Sequence, residues 1–178
     1  MLPFSHHFSS FSDLSLPENC TFEQAALAEP LSVVLHASRR AELSPGQSVL
    51  VFGVGPIGML VCAYAKSQGA SRIAAIDINQ ARLDFAKANG FASHTFCLPK
   101  TDNTKTTEDQ LRRMQTNVQI ALTEFCEPDG FDLVFECSGA ESSIQMSVHV
   151  SFSRVFCGRS AFIVSFCLPS TLGCCYRR

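Results

Sequence analysis

The stretch Ser48-Val-Leu-Val-Phe-Gly-Val-Gly-Pro-Ile-Gly-Met-Leu-Val61 constrains the fold of this chain more than any other. Val49 to Phe52 form an unbroken run of β-branched and apolar residues, which predicts a strand buried on both faces. Three glycines follow at once, in Gly53-Val-Gly55-Pro-Ile-Gly58, and Met59 to Lys66 then have the composition of a helix. A glycine motif set between strand and helix is far more specific than the glycines by themselves. Gly53 suits the tight turn out of the strand, Gly55 lets a pyrophosphate approach the backbone, and Gly58 lets the helix lie close to the sheet. The amides and dipole of the helix start favour an anion there, and Pro56 stands where a first turn needs no N–H.

A second apolar run, Arg72-Ile-Ala-Ala-Ile-Asp77, ends in a carboxylate 19 residues beyond Gly58. An acidic residue about 20 positions past the glycines accepts hydrogen bonds from an adenosine ribose and repels a 2′-phosphate. Asp77 therefore argues for NAD over NADP, while Arg82, five residues on, pulls the other way. The competing explanation is a plain glycine turn followed by a chance strand-end aspartate.

The rest of the chain fits a globular protein: of its 178 residues 46% are hydrophobic and 17% charged. A net charge of −2 with no basic face gives nucleic-acid binding no electrostatic support. The nine cysteines include no CxxC pair and no Cys/His cluster with zinc spacing, so they read as reduced, mostly buried thiols of a cytoplasmic protein. Asn19-Cys-Thr21 is formally a glycosylation sequon, but the start of the chain has no secretory pattern to give it meaning. The apolar run Ala161 to Leu168 is too short to span a bilayer, and Arg159 interrupts any longer one.

Residues 1–15, with His6-His7, read as a flexible end, in which adjacent histidines seldom bind a metal. Thr21 and Gln24 have capping-box spacing ahead of a short helix, and a longer helix begins at Glu29-Pro30. Leu31, Val34, Leu35 and Ser38 share one face of it. Asn79 to Gly90 is a further helix with Leu83 and Phe85–Ala86 facing inward. Ser93 to Cys97 is a third strand, Thr101 to Thr107 a polar turn, and Glu108 to Cys126 a long helix carrying Leu111, Met114, Val118 and Leu122 on one side. Phe131 to Gly139 is a fourth strand with its exit, and Glu141 to Val150 opens another helix. The order βαβαβαβ is that of a Rossmann-like, doubly wound parallel sheet over residues 16–150. Beyond Val150 periodicity is lost: residues 151–178 form a cysteine-rich, atypical tail, Ala161 to Leu168 is a candidate fifth strand, and the C-terminal half of the sheet is expected to be incomplete.

Leu16-Pro-Glu, Ala28-Glu-Pro-Leu-Ser-Val-Val-Leu-His-Ala37, the glycine motif, Ala75-Ile-Asp77, Arg82-Leu83 and Glu136-Cys-Ser-Gly-Ala-Glu141 together resemble the nucleotide-binding domain of zinc-containing medium-chain dehydrogenases, in particular the sorbitol and xylitol dehydrogenase branch. The resemblance covers about three-quarters of the chain. It implies NAD-dependent oxidation of a secondary alcohol of a small polyol to a ketone by hydride transfer, with zinc polarising the alkoxide. It also implies homo-oligomers that associate through the nucleotide-binding domains.

The cofactor-binding positions it implies are Gly53, Gly55, Pro56, Ile57, Gly58, Asp77, Arg82, Cys137 and Ser138. Cys137 reads more readily as a buried structural thiol than as a cofactor contact, and Glu29, which matches an acidic residue near the family's metal, reads more readily as a helix-start carboxylate than as a metal ligand. One carboxylate does not hold a catalytic zinc, which takes about three protein ligands. His36 reads as a packed or solvated helix residue, and no Ser/His/Asp or Cys/His nucleophile arrangement is legible. In the family the Cys and His-Glu zinc ligands lie in a GroES-like domain that would precede Leu16. Without it the chain is expected to bind cofactor but not to turn over substrate. The tail is expected to depart from the family fold as a truncated or mis-spliced product would. The alternatives are a non-catalytic NAD(H)-binding module and a gene-model fragment without function of its own.

Overall fold

The computed structural model describes residues 16–99, 107–126, 129–159 and 162–167. The expected flexible end at 1–15, residues 101–106 of the polar turn, and the last residues of the tail, 168–178, lie outside them. Two helices lead in, α1 (Phe22–Ala26) and α2 (Ala28–Arg40). The capping box at the start of α1 forms as its spacing predicts: Thr21 Oγ1 accepts from Gln24 N at 3.3 Å, and Gln24 Oε1 accepts from Thr21 N at 3.0 Å.

Strands β1 (Ser48–Phe52), β2 (Arg72–Asp77), β3 (His94–Cys97) and β4 (Phe131–Glu136) alternate with helices α3 (Pro56–Ser67), α4 (Gln80–Ala88) and α5 (Thr107–Phe125). Helix α6 (Glu141–Val150) leads to β5 (Ser151–Arg159) and then β6 (Phe162–Cys167). The sheet order is β3-β2-β1-β4-β5-β6. The first five strands run parallel and β6 antiparallel. The strand order reverses beside β1, whose neighbours are β2 and β4. In such sheets a ligand binds in the crevice at the carboxyl ends of the strands at that point.

Alternation along β1 builds both layers of the core. Val49 and Val51 pack with Val34 of α2, Val61 of α3 and Leu83 of α4. Leu50 and Phe52 pack with Val118 and Leu122 of α5 and Met146 of α6. In the second layer the buried ring of Phe125 meets Phe96, Phe131 and His94 edge-on, with centroids 6.4, 5.8 and 6.4 Å away. At the amino end of the sheet Asp132 clasps β1: its Oδ2 accepts from Ser48 N and Ser48 Oγ, both at 2.8 Å.

Two sequence expectations change. Phe85 does not face inward: it is 55% exposed, while Leu83 and Ala86 are buried. On a 3.6-residue period a side chain two positions past Leu83 points to the opposite side, and Phe85 leans on Phe91 instead, centroids 6.4 Å apart. The stretch without evident periodicity, Ser151–Arg159, is itself the fifth strand, paired along β4 from Phe131↔Ser151 to Glu136↔Cys157 with a register shift between Phe131 and Leu133. The outer edge of β4 offers unpaired backbone groups, and α6 returns the chain beside it, so pairing forms without an alternating pattern. The run expected as a fifth strand is the sixth, and it folds back antiparallel, pairing Phe162 with Arg159.

Candidate nucleotide-binding site

The exits of β1, β2 and β4 come together at the carboxyl end of the sheet. Gly53 has φ +81°, a left-handed conformation that side chains rarely adopt, and its N–H donates to Ile76 O at 2.7 Å. A Cβ on Gly53 would lie 2.7 Å from Ser138 N, and one on Gly58 would lie 1.9 Å from Gly53 O. The turn therefore closes on itself and on the β4 exit through contacts that admit only hydrogen. Gly55 differs: an added Cβ would meet no heavy atom within 4 Å. That open space lies at the N-cap of α3, where no side chain caps the helix and Pro56 occupies the first turn. Ile57 is half-buried and packs on the first core layer, so it orients the helix start from below.

Asp77 ends β2 and is 6% exposed. Its Oδ2 accepts from Val54 N inside the glycine turn at 2.8 Å, and its Oδ1 accepts from Asn79 N at 2.8 Å. The carboxylate thus ties the β1 exit to the β2 exit. Arg82 Nη1 stands 4.0 Å from Asp77 Oδ2, with its side chain 56% exposed. At that separation and exposure the pair contributes little.

A second carboxylate, unassigned by sequence reasoning, closes the β4 side. Glu136 is fully buried. Its Oε1 accepts from Ser138 N at 2.9 Å and, in a very short bond, from Ser138 Oγ. Gly139 N donates to both its oxygens, at 3.2 and 3.1 Å. Ser138 Oγ in turn accepts from Ala140 N at 3.2 Å, so this hydroxyl is engaged within its own turn. Cys137 is half-buried, packs on the first core layer, and donates through its backbone N–H to Phe52 O at 2.7 Å. The signal for Glu136 was its place directly before Cys137-Ser-Gly139, where a carboxylate ending an apolar strand needs donors and the only donors nearby in sequence are the turn's own.

Beneath the glycine turn, burial pushes the Cys62 thiol of α3 up to about 12, opposed in part by a hydrogen bond to its own backbone. Glu29 sits exposed in the first turn of α2, and His36 is exposed on the same helix. Among the described residues no three His, Cys, Asp or Glu side chains converge to hold a metal ion. No described helix is long and apolar enough to cross a membrane.

Residues 56–151 match the family described as zinc-binding dehydrogenase. D-xylulose reductase A of Aspergillus niger is 42% identical over 135 residues, which cover 76% of this chain and 34% of that protein. Among solved structures, galactitol-1-phosphate dehydrogenase from Escherichia coli aligns with a TM-score of 0.57 at 26% identity, over 81% of this chain and 37% of that one. L-idonate 5-dehydrogenase from Escherichia coli str. K-12 substr. MG1655 aligns with a TM-score of 0.57 at 27% identity, over 78% and 34%. The chain spans about a third of the length of the curated relatives it matches.

Proposed function

The chain belongs to the zinc-binding dehydrogenase family, and from that premise we propose that it holds NAD(H) for a polyol dehydrogenase that oxidises a secondary alcohol to a ketone. The observation that carries the reading is the open space at Gly55, set between an uncapped helix start and the Asp77 carboxylate. Uncapped amides at a helix start favour a pyrophosphate. Each Asp77 oxygen accepts one backbone N–H in the structure and keeps a lone pair for a ribose hydroxyl. The same negative charge opposes a 2′-phosphate, and exposed Arg82 offsets it only weakly, which supports NAD over NADP.

The nicotinamide cofactor, when bound, supplies the hydride acceptor. Gly53, Gly58 and Ile57 set the turn that receives the pyrophosphate, and Asp77 orients the adenosine end. Cys137 and Ser138 flank the cleft on the β4 side. The described residues do not fit a zinc site, since Glu29 is joined by no second and third ligand. The described residues are assigned cofactor holding. A cytoplasmic location belongs to the same proposal, supported by the free thiols of Cys20, Cys62, Cys97 and Cys126.

Fluorescence titration of the purified chain with NADH, and with NADPH in parallel, tests the reading. Saturable binding that favours NADH is expected. A cooperatively folded sample that binds neither would overturn it.

A further inference from the structure

The buried carboxylate at the end of β4 has no role in the reading above, yet it controls a contact on which the cleft depends. Ser138 backbone lies so near Gly53 that not even a methyl group fits between them. Ser138 is held there by Glu136, through its backbone N–H, its hydroxyl and the next amide, Gly139 N. The bonds named here all lie within four consecutive residues. Through them the Glu136 side chain shapes the turn that forms the wall of the cleft facing Gly53.

We propose that Glu136 is a positioning residue for the nucleotide site, fixing the wall of the cleft on the β4 side of the point where strand order reverses. The inference rests on the NAD(H) reading. A dinucleotide bound across that point has its adenosine end on the β2 side, beside Asp77, and its second mononucleotide on the β4 side. The two carboxylates therefore divide the work: Asp77 joins the β1 and β2 exits, and Glu136 sets the β4 exit against them. Loss of Glu136 should be felt by a ligand that reaches across the cleft and not by one confined to the adenosine end.

The test titrates the full chain with NADH and, separately, with 5′-AMP, in wild type, Glu136→Gln and Ser138→Ala, with a thermal melt of each. Glutamine has the same shape but turns one acceptor into a donor that faces Ser138 N–H or Gly139 N–H. NADH affinity should fall about tenfold or more in Glu136→Gln, since charge-assisted bonds to a buried carboxylate are lost. AMP affinity should stay within about twofold of wild type, a small fraction of the tenfold step. Ser138→Ala, which removes one bond from the carboxylate at a solvent-exposed residue, should show the same split at smaller amplitude; it decides the question if Glu136→Gln does not fold. Equal losses for NADH and AMP would mean a general structural role and overturn the proposal. So would variants that bind NADH as wild type does. A wild-type chain that binds no NADH would instead bring down the functional reading itself, an outcome visible before any variant is made.

Discussion

Replacing Asp77 by asparagine separates the two duties of this side chain. Both carboxylate oxygens accept backbone N–H groups at 2.8 Å, Val54 N on Oδ2 and Asn79 N on Oδ1, at a residue only 6% exposed. Asparagine fits the same space but presents one NH₂, so in either amide orientation a donor faces a donor. One charge-assisted bond is lost and one buried N–H is left unpaired, a loss of about 2 kcal/mol for such groups. For a chain of this size that corresponds to a melting temperature lowered by about 4–8 °C. The decisive assay is denaturation of the cofactor-free protein by heat and by urea, followed by circular dichroism. NADH titration of the same samples then reads the ribose contact, which should weaken with a smaller preference over NADPH. If Asp77→Asn melts with wild type while NADH binding falls, Asp77 serves the ligand alone and the tie between the β1 and β2 exits is energetically idle. That result would refute the reasoning.

Gly53→Ala should abolish NADH binding and destabilise the fold by about 1–3 kcal/mol or more, because it combines strained φ with a methyl group placed against Ser138 backbone; urea denaturation and the same titration check both parts. Phe125→Ala empties the space among three ring neighbours and should lower stability by about 3–5 kcal/mol in a urea melt. Cys62 keeps its proton in the folded chain up to about pH 12, whereas in the unfolded chain it loses it near 9.0. Its contribution to stability is therefore constant below the lower value and declines between the two, by at most about 1.4 kcal/mol per pH unit. Urea melts of wild type and Cys62→Ala across that window should diverge in slope, and parallel slopes would contradict the assignment. Cys62 should also resist a thiol reagent at neutral pH until the chain is unfolded, as timed labelling would read.

The central repeat was legible because its signals are local. Val49 to Phe52, the three glycines and Asp77 each follow from what a few neighbouring residues demand of the backbone, and the capping box at Thr21 and Gln24 likewise depends on a span of four residues. What escaped was set by partners distant in sequence or by direction. Ser151–Arg159 becomes a strand because β4 stands open beside it, which no periodicity within the segment announces. Phe85 reads as core because an aromatic residue on a short helix does so until its angular position relative to Leu83 is counted. Glu136 enters the sequence reading within a family resemblance, with no role of its own. Its isolation in an apolar strand end hid the fact that the following turn supplies all the donors named above.

The bond between Ser48 and Asp132 spans 84 residues, and β4 enters the sheet at the far side of β1 from β2. During synthesis on the ribosome, β1, β2 and β3 emerge early and can pair with one another while one long edge of β1 stays bare. That apolar edge stays available to chaperones, or to the same edge of another nascent chain, until β4 leaves the exit tunnel. The wall that Ser138 makes against Gly53 comes later still, so the nascent chain has a glycine turn long before it has a cleft. Slowing translation while β4 is still inside the exit tunnel should therefore lengthen the aggregation-prone interval, while slowing it once β4 has emerged should not.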